Sequence, residues 1–558
     1  MPDYRILNGI LNPRVQCVPL RADEQPELRY MRIRHKHFAF DINSMALLEV
    51  GSIKDFAELR ANPPSPYIMA KYKPSFQPSP QPEKLGHMVL NVTHDCNLAC
   101  SYCFVRNFYA DHGTGNYMTF PTAKTAIDRL MDANQRLSIG FFGGEPLLNF
   151  ALVKEVVEYA EKLAVERGPV CKTCGGAGRV RGERCSVCRG LGKQAPSFGV
   201  TTNGILSTEE ILAFLEDHGF SMITSIDGDA DAHDALRPMK RSGRGSHAQI
   251  VAGLRRVAKT GLARRNTLRS TFTAMEGQTI ASRLEFLNQL CDDGCGSHVS
   301  VEPAALSENS CFYPNQDTLE VHVGNIWNRF HDEYLEAADW WVNRVRAGKK
   351  ARFHNVHKSI ERIFHCLHAG SECGAGKGYG AVNAKGEVFG CHRESNSYLG
   401  TLQTGIDPKL RAPWLDNRLY SRSACNTCGH RYVCGGGCRE DSLGDRGVIH
   451  DPSNVHCALK QCWVEAAIWI MSELNKHELL ESVPDPRPNA RPSPQLLSFI
   501  PPEAVPRDEH GIAQPRWIGN IPQVALVKEG AKDRVFDLPV ADAPADKYAI
   551  FDQCVSDY

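Results

Sequence analysis

Between about residues 85 and 302 the sequence predicts an α/β fold built on a parallel sheet. Three observations carry this reading. Short apolar runs at 137–142, 198–202 and 222–226 alternate with amphipathic stretches such as 121–134, the order of strand–helix–strand units. Those runs end in Gly143-Gly144-Glu145-Pro146, Asn203-Gly204 and Asp227-Gly228, and ligands of parallel sheets gather where strands end. Finally, Leu90 and Val92 lead into a loop carrying Cys96, Cys100 and Cys103 at CxxxCxxC spacing.

Composition narrows the classes. The 558 residues are long enough for two to four domains. The 64 basic and 64 acidic residues cancel, so charge gives no reason to expect a nucleic-acid or membrane partner. No apolar run approaches a membrane span, and the start MPDYRILNG lacks the basic head and apolar run of a signal peptide. With 21 cysteines grouped at metal-ligand spacings, the expected setting is a reducing cytoplasm with metal sites rather than a disulfide scaffold.

Three thiolates on one short loop can hold three corners of a cubane iron–sulfur cluster and leave one iron open to a ligand. The residues alone also allow unrelated buried thiols or part of a zinc site. With Tyr102 before the last cysteine, and Gly143-Gly144-Glu145-Pro146 some forty residues later, the chain resembles the radical S-adenosylmethionine (radical SAM) superfamily. The resemblance implies a partial (β/α)6 barrel. It also implies S-adenosylmethionine (SAM) bound to the open iron of a [4Fe-4S] cluster on Cys96, Cys100 and Cys103, and a 5′-deoxyadenosyl radical supplied by that cofactor. Gly143, Gly144, Glu145 and Pro146 would then receive the methionine amino group. Thr202, Asn203, Ser225 and Asp227 are candidate contacts to the ribose and carboxylate, although Asn-Gly and Asp-Gly are also plain turn signals. Arg237 and Arg269 are candidate carboxylate clamps by the same resemblance.

Ahead of the barrel, residues 1–86 form a separate module and linker. The run 30–50 reads as two strands around a turn at 41–44, with a short helix at 53–61 and a proline-rich linker at 63–82. HFAFDINSMALLEV resembles the front end of radical SAM peptide maturases, which implies a winged-helix-like element gripping a leader peptide by strand addition. A plain structural cap is the other reading.

Two CxxCxGxG units interrupt the barrel region 87–330, at Cys171/Cys174 and Cys185/Cys188 within residues 168–196. Four soft ligands so close suit one tetrahedral ion, and the glycines let backbone amides bend towards the sulfurs. The unit resembles half of the cysteine-rich region of DnaJ-type chaperones. A structural zinc in a surface excursion is expected, with an iron site or a redox dithiol as alternatives. Cys291, Cys295 and Cys311 read as packed or surface thiols, and 317–345 as a long helix.

The last constellation lies in the expected domain 331–482. Cys366, Cys373, Gly386 and Cys391 are followed by Cys425-x2-Cys428-x5-Cys434-x3-Cys438 and Cys457. CxxC pairs also suit zinc ribbons. The array resembles the SPASM extension of radical SAM peptide-modifying enzymes. That implies two auxiliary [4Fe-4S] clusters, an inner one on Cys366, Cys373, Cys391 and Cys438 and an outer one on Cys425, Cys428, Cys434 and Cys457. Cys462 is left over, 463–480 reads as an amphipathic helix, and residues 483–558 as a proline-rich tail, with 517–527 and 548–551 able to dock as strands and Cys554 unassigned.

In motif texture the chain is nearest to maturases that build thioether crosslinks in ribosomal peptides or in a cysteine-rich enzyme subunit. The resemblance therefore implies an oxidoreductase acting on a ribosomal precursor peptide or protein, reduced by a flavodoxin or ferredoxin. Other radical modifications stay open: a carbon–carbon or carbon–oxygen link, epimerisation, or formylglycine formation in sulfatases. Formylglycine-forming members carry Asp directly after the third auxiliary cysteine, where this chain has His392. A metal-rich electron-transfer or recognition scaffold is the non-enzymatic alternative.

Overall fold

The stretch HMVLNVT alternates two apolar sets, and all seven residues of the strand His87–Thr93 are buried. Met88, Leu90 and Val92 join the core under the helices, while His87 and Val89 line a cavity on the other face. A strand covered on both faces belongs in the middle of a sheet. The computed structural model describes residues 4–6, 16–19, 28–43, 45–61, 72–75, 83–104, 117–273, 277–304, 319–394, 396–416, 419, 422–484, 516–518 and 521–523. Cys311, Cys554, Tyr548 to Phe551 and most of the expected linker and tail lie outside the described residues.

Six parallel strands run in chain order across the sheet: His87–Thr93, Ser138–Gly143, Ser197–Thr202, Ser221–Ser225, Asn266–Phe272 and His298–Pro303. Helices Phe120–Leu130, Phe150–Arg167, Glu209–Asp217, His247–Val257 and Ile280–Asp292 return the chain between them. This is the expected partial barrel, with Glu302 on the last of the six strands. Thr119, Thr208 and Thr279 cap three of these helices through their hydroxyls, satisfying amides that a helix start leaves open.

The sheet does not stop at His87–Thr93. Tyr379–Val382 pairs parallel to it, and Glu387–Phe389, Tyr398–Thr401 and Gly405–Ile406 follow antiparallel, giving ten strands in all. The auxiliary cysteine region thus grows directly from the barrel sheet. The boundary expected at 330/331 falls inside one helix, Leu319–Arg346, which carries the chain from the barrel into that region. Its buried face, including Phe330, Tyr334 and Trp341, shares one core with the barrel residues Leu284 and Val301 and with Leu459 and Trp469 of the helix Asn454–Glu473. The helix expected at 463–480 is two: Asn454–Glu473 starts earlier, capped by Ser453, and Lys476–Ser482 begins anew behind an Asn475–Glu478 capping box.

The N-terminal run 30–50 holds three strands rather than two: Leu28–Ile33, Lys36–Asp41 and Leu47–Val50. The extra turn sits at Arg34-His35, with Arg34 in the left-handed region (φ 53°), and carries no glycine or asparagine to mark it. Tyr4–Ile6 adds a fourth antiparallel strand, and the helix Ile53–Ala61 lies where expected. Ala39, Leu48, Phe56 and Leu59 form a small core beneath that helix, while Phe38, Phe40 and Leu47 face the main core. Gln16–Pro19 pairs with Tyr72–Ser75 inside the expected linker, and Arg516–Ile518 with Ile521–Gln523 within 517–527 and its edge.

The turn at Arg34 is pinned to the helices Asn454–Glu473 and Leu319–Arg346. The Arg34 guanidinium lies 4.7 Å from the Trp469 ring centroid and pairs with Asp339 at 2.7 Å, while Lys36 pairs with Glu473 at 2.8 Å. Trp469→Ala removes a buried indole, its bond to Asp339 and a cation–π face. The variant should lose about 3 kcal/mol of stability. Hydrogen exchange in 28–41 should rise with it; unchanged exchange there would show that the module is held by other contacts.

Candidate functional site around the cysteine loop

Two close backbone approaches shape the loop that holds Cys96, Cys100 and Cys103. The Gly144 N–H donates to the Thr93 carbonyl and the Glu145 N–H to the Asp95 carbonyl, both at 2.8 Å. A Cβ on Gly143 would stand 2.1 Å from the Thr93 oxygen, and one on Gly144 2.2 Å from the Asp95 oxygen. The glycine pair is needed here so that the second strand end can touch the cysteine loop itself, not only to admit a ligand.

Glu145 is fully buried and tied on both oxygens. It accepts from the Leu147 amide (3.1 Å), the Thr202 hydroxyl (2.8 Å) and the Asn203 amide (2.8 Å). Burial pushes its carboxyl up to about 7 despite those donors. Thr202 is thus engaged with Glu145 and with the Gly204 amide. Asn203 reaches the loop: its Nδ2 donates to Asn97 Oδ1 at 2.6 Å and lies 3.9 Å from Cys96 Sγ. Pro146 opens the short helix after this junction. Ser225 is half-buried at the fourth strand's end, in register with Arg269.

Asp227 organises the other side. Its Oδ2 accepts from the Tyr102 hydroxyl (2.6 Å) and Arg237 Nε (2.8 Å), and its Oδ1 from the Thr271 amide (2.9 Å). Burial alone would raise this carboxyl, but the Arg237 charge outweighs it and holds the group below its ordinary value. Arg237 also stacks 5.2 Å from the Tyr102 ring centroid and lies 4.0 Å from Cys100 Sγ. Asp227 and Arg237 therefore grip the cysteine loop through Tyr102, whereas Arg269 lines the barrel interior. The three thiols sit together: burial and mutual charge push Cys96 up to about 12 and Cys100, eased by Arg237, to about 11. A buried sulfur becomes a thiolate at neutral pH when a cation is bound to it, so this donor set fits a cationic cluster. Asn97 was not singled out from sequence; nothing in its local pattern marks it.

Between the last barrel strand and the later cysteine region a cleft of about 1050 Å³, open mouth included, is lined by Glu302 and Pro303 on one side and by Glu372, Arg439 and Trp463 on the other. Cys373, Cys391 and Cys438 line it. Arg269, Tyr379 and His392 belong both to it and to the barrel interior, so the two spaces adjoin. His392 packs edge-on against Phe142 at 4.6 Å, its Nδ1 lies 2.5 Å from the Tyr379 hydroxyl, and burial beside Arg393 and Arg269 lowers it to about 3. Asn91, on the first barrel strand, donates to the His392 carbonyl and to Glu394, binding the two regions together. Sequence analysis missed Tyr379 and Glu394; a strand tyrosine and a lone glutamate give no local signal.

The auxiliary cysteines fall into sets. Cys391 and Cys438 lie within electrostatic reach of each other, as do Cys438 and Cys373. Cys366 is buried on the turn after helix His354–Phe364, in the left-handed region (φ 51°). Cys425, Cys428, Cys434 and Cys457 are mutual neighbours. Cys462 is packed in the helical core, and Cys291 and Cys295 are buried thiols of the barrel wall.

The inserted knuckle differs in scale. The sulfurs of Cys171, Cys174, Cys185 and Cys188 all lie within 4.8 Å of one another, with Cys174 and Cys188 at 3.6 Å. Among the described residues no other group of three or more Cys, His, Asp or Glu side chains converges so tightly. One tetrahedral ion requires sulfurs that close, whereas a multi-iron cluster holds its ligands further apart. Amides of Gly178 and Gly176 point at Cys174 and hold it down to about 7 against burial.

Two outcomes follow. Asp227→Asn leaves the buried Arg237 without its counter-charge and should cost about 3 kcal/mol, with loss of iron from the Cys96 loop. The wild-type contribution is present above the ordinary carboxylate range and falls away on acidification below it, so the difference between the two proteins in urea titrations should shrink at low pH. Replacing Cys171 and Cys174 with Ser should release one zinc per chain and leave iron unchanged; elemental analysis showing unaltered zinc would refute the site.

The family model described as the radical SAM superfamily matches residues 90–290. An uncharacterised protein of Methanocaldococcus jannaschii is 31% identical over 170 residues, 30% of this chain and 48% of that protein. The radical SAM cyclopropyl synthase TigE of Paramaledivibacter caminithermalis is 22% identical over 340 residues, 57% of this chain and 60% of TigE. The chain thus spans about half to three fifths of the length of these relatives. The solved structure of anSMEcpe with bound AdoMet shares the fold, with a TM-score of 0.50 and 16% identity over 72% of this chain and 98% of that one. The family match spans the first five of the six parallel strands, from His87–Thr93 to Asn266–Phe272, so residues 90–290 of this chain are similar to the radical SAM superfamily over most of the parallel sheet.

Proposed function

We propose that this chain is a radical SAM oxidoreductase that matures a ribosomal precursor peptide or protein, and that it forms thioether links from cysteine sulfurs. One observation carries the reading. The cleft lined by Cys373, Cys391 and Cys438 adjoins the barrel interior, the two sharing Arg269, Tyr379 and His392 as walls, and this supports a substrate segment lying between the barrel and the inner auxiliary cysteines.

Cys96, Cys100 and Cys103 would hold a [4Fe-4S] cluster that, with SAM bound, supplies a 5′-deoxyadenosyl radical. Glu145 and Asp227 keep the loop in place against the strand ends. Asn203 and Ser225 present polar groups at those ends, and Arg269 offers a cation inside the barrel for a carboxylate of cofactor or peptide. Cys366, Cys373, Cys391 and Cys438 would hold the inner auxiliary cluster, and Cys425, Cys428, Cys434 and Cys457 the outer one. His392 is neutral at pH 7 and walls the substrate space with Phe142 and Tyr379. A flavodoxin or ferredoxin would deliver the reducing electron. The zinc of the knuckle has no part in the chemistry, and the N-terminal sheet would receive the leader of the precursor.

Replacing Cys96, Cys100 and Cys103 together with Ala should abolish 5′-deoxyadenosine formation from SAM while the auxiliary iron remains, because those ligands are local to one loop. Iron falling to zero would refute separate sites, and wild-type protein making no 5′-deoxyadenosine under reduction would favour the scaffold reading. The product should lose two hydrogens and one alkylatable thiol per crosslink. Unchanged mass with solvent deuterium marks an epimerase, sulfur replaced by a carbonyl oxygen marks formylglycine, and two lost hydrogens with every thiol alkylatable mark another crosslink. Each of these three outcomes rules out the thioether.

A further inference from the structure

Residues 237–265 carry nine basic side chains and no acidic one, in a chain whose basic and acidic residues cancel. Helix His247–Val257 divides them into two clusters. Arg255, Lys259, Arg264 and Arg265 stand at its far end, where strand Asn266–Phe272 begins. The helix has 11 residues, a length of about 16 Å, so this cluster is remote from the cysteine loop. Lys240, Arg241 and Arg244 stand at the near end, on the turn 239–244 before the helix, and all three are exposed.

That turn is stitched to the cysteine loop by main-chain bonds. The Ser101 amide donates to the Leu236 carbonyl, the Ala99 amide to the Pro238 carbonyl and the Lys240 amide to the Asn97 carbonyl, each at 2.9 Å. Leu98 and Met239 form a β-bridge between the two segments. The turn also closes on itself: the Met239 amide donates to the Arg244 carbonyl at 2.8 Å and the Gly243 amide to the Met239 carbonyl at 2.9 Å, with Gly243 in the left-handed region (φ 65°). Asn97 adjoins Cys96, so the backbone of Lys240 lies within about 10 Å of a cysteine of the loop. No residue of 236–244 lines the cleft or the barrel interior. A molecule docked on this turn therefore reaches the cysteine loop from outside the substrate space.

The carboxylates beside the turn are largely engaged. Asp95 receives Lys240 Nζ at 2.8 Å, Asp234 accepts from the His247 amide at 2.8 Å, and Asp229 accepts from the Ala232 amide at 3.0 Å. Asp231 is exposed on the preceding helix Ala230–Leu236. The guanidinium groups of Arg241 and Arg244 have no partner among the described residues. An exposed arginine with no internal partner keeps its donors for an outside anion. Complementary charge steers a protein partner to such a face and raises the rate of encounter. We propose that the turn 239–244, through Lys240, Arg241 and Arg244, docks the acidic protein that reduces the cluster of the Cys96 loop. The proposal rests on the radical SAM reading above and adds the place where the electron enters. The transfer makes and breaks no bond: the donor loses one electron and the cluster gains it.

The test uses the full chain with its clusters loaded. An acidic flavodoxin and an acidic ferredoxin are compared as donors, and the faster one is followed by stopped-flow bleaching of the Cys96-loop cluster. Reduced methyl viologen, a small cation that needs no docking face, is the control. In Arg241→Glu/Arg244→Glu the second-order rate with the protein donor should fall about tenfold, while the viologen rate stays as in wild type. Arg241→Lys/Arg244→Lys should keep most of the wild-type rate. Raising salt to about 0.5 M should slow the wild type towards the Glu variant. Independently of turnover, the oxidised donor should slow amide exchange at 239–245 in wild type and not in the Glu variant. A protein-donor rate untouched by the Glu pair, an equal loss with viologen, failure of both protein donors, or protection of 239–245 by an added oligonucleotide instead of the donor would each overturn the docking face. Wild type that makes no 5′-deoxyadenosine even with viologen would instead overturn the radical SAM reading beneath it.

Discussion

The parallel pairing of Tyr379–Val382 with His87–Thr93 is the constraint on which the remaining geometry rests. Gly378 starts it by accepting from the Gly86 and His87 amides at 2.8 and 3.0 Å, and the rings of His87 and Tyr379 stack at 5.4 Å across the join. Cys373 comes just before this strand and Cys391 just after its antiparallel partner Glu387–Phe389. The first barrel strand leads into Cys96 at its other end. One continuous sheet therefore fixes the auxiliary thiols relative to the cysteine loop. Backbone ladders do this without a hinge, since slipping the register by one residue would turn every side chain to the opposite face.

Buried ion pairs hold the loops that the sheet leaves unsupported. Asp227 with Arg237 is deeply buried, and the buried Asp441 pairs with a partly buried Arg393. Glu372 receives Arg362 at 2.9 Å and Lys460 at 2.7 Å, with Lys358 at 3.5 Å, and their charge holds it well below its usual range despite burial. Such pairs add little net stability once desolvation is counted, yet removing one partner is costly. Their value here is positional. Tyr102, Cys373 and Cys438 each sit beside one of them, so the residues nearest the candidate cofactors have few alternative arrangements.

The N-terminal sheet and the knuckle are attached in contrasting ways. The sheet is built into the main core through Phe38, Phe40 and Leu47 and clamped by Trp469. The knuckle has its own small centre of four sulfurs and touches the barrel chiefly through Arg189. A unit with no apolar core needs an internal staple to hold its shape, and four sulfurs within 4.8 Å of one another are placed so that one bound ion would supply it.

The sequence by itself determined the elements whose signals are local. Cysteine spacing is covalent, strand–helix alternation follows from apolar period, and the helix 53–61 and the long helix near 319–346 were legible from pattern alone. It also marked Gly143 and Gly144, though not the reason for them. Only tertiary structure decided what those glycines face, that Asp227 grips Tyr102, and that Tyr379, His392 and Glu394 join the two cysteine regions. Each of these depends on residues more than ten, and often hundreds, of positions apart. Such contacts leave no periodic trace, because a buried carboxylate chooses its partner by where the packed backbone places it. The turn at Arg34 escaped for the same reason: Trp469 and Asp339, far along the chain, hold a left-handed arginine that local propensity disfavours.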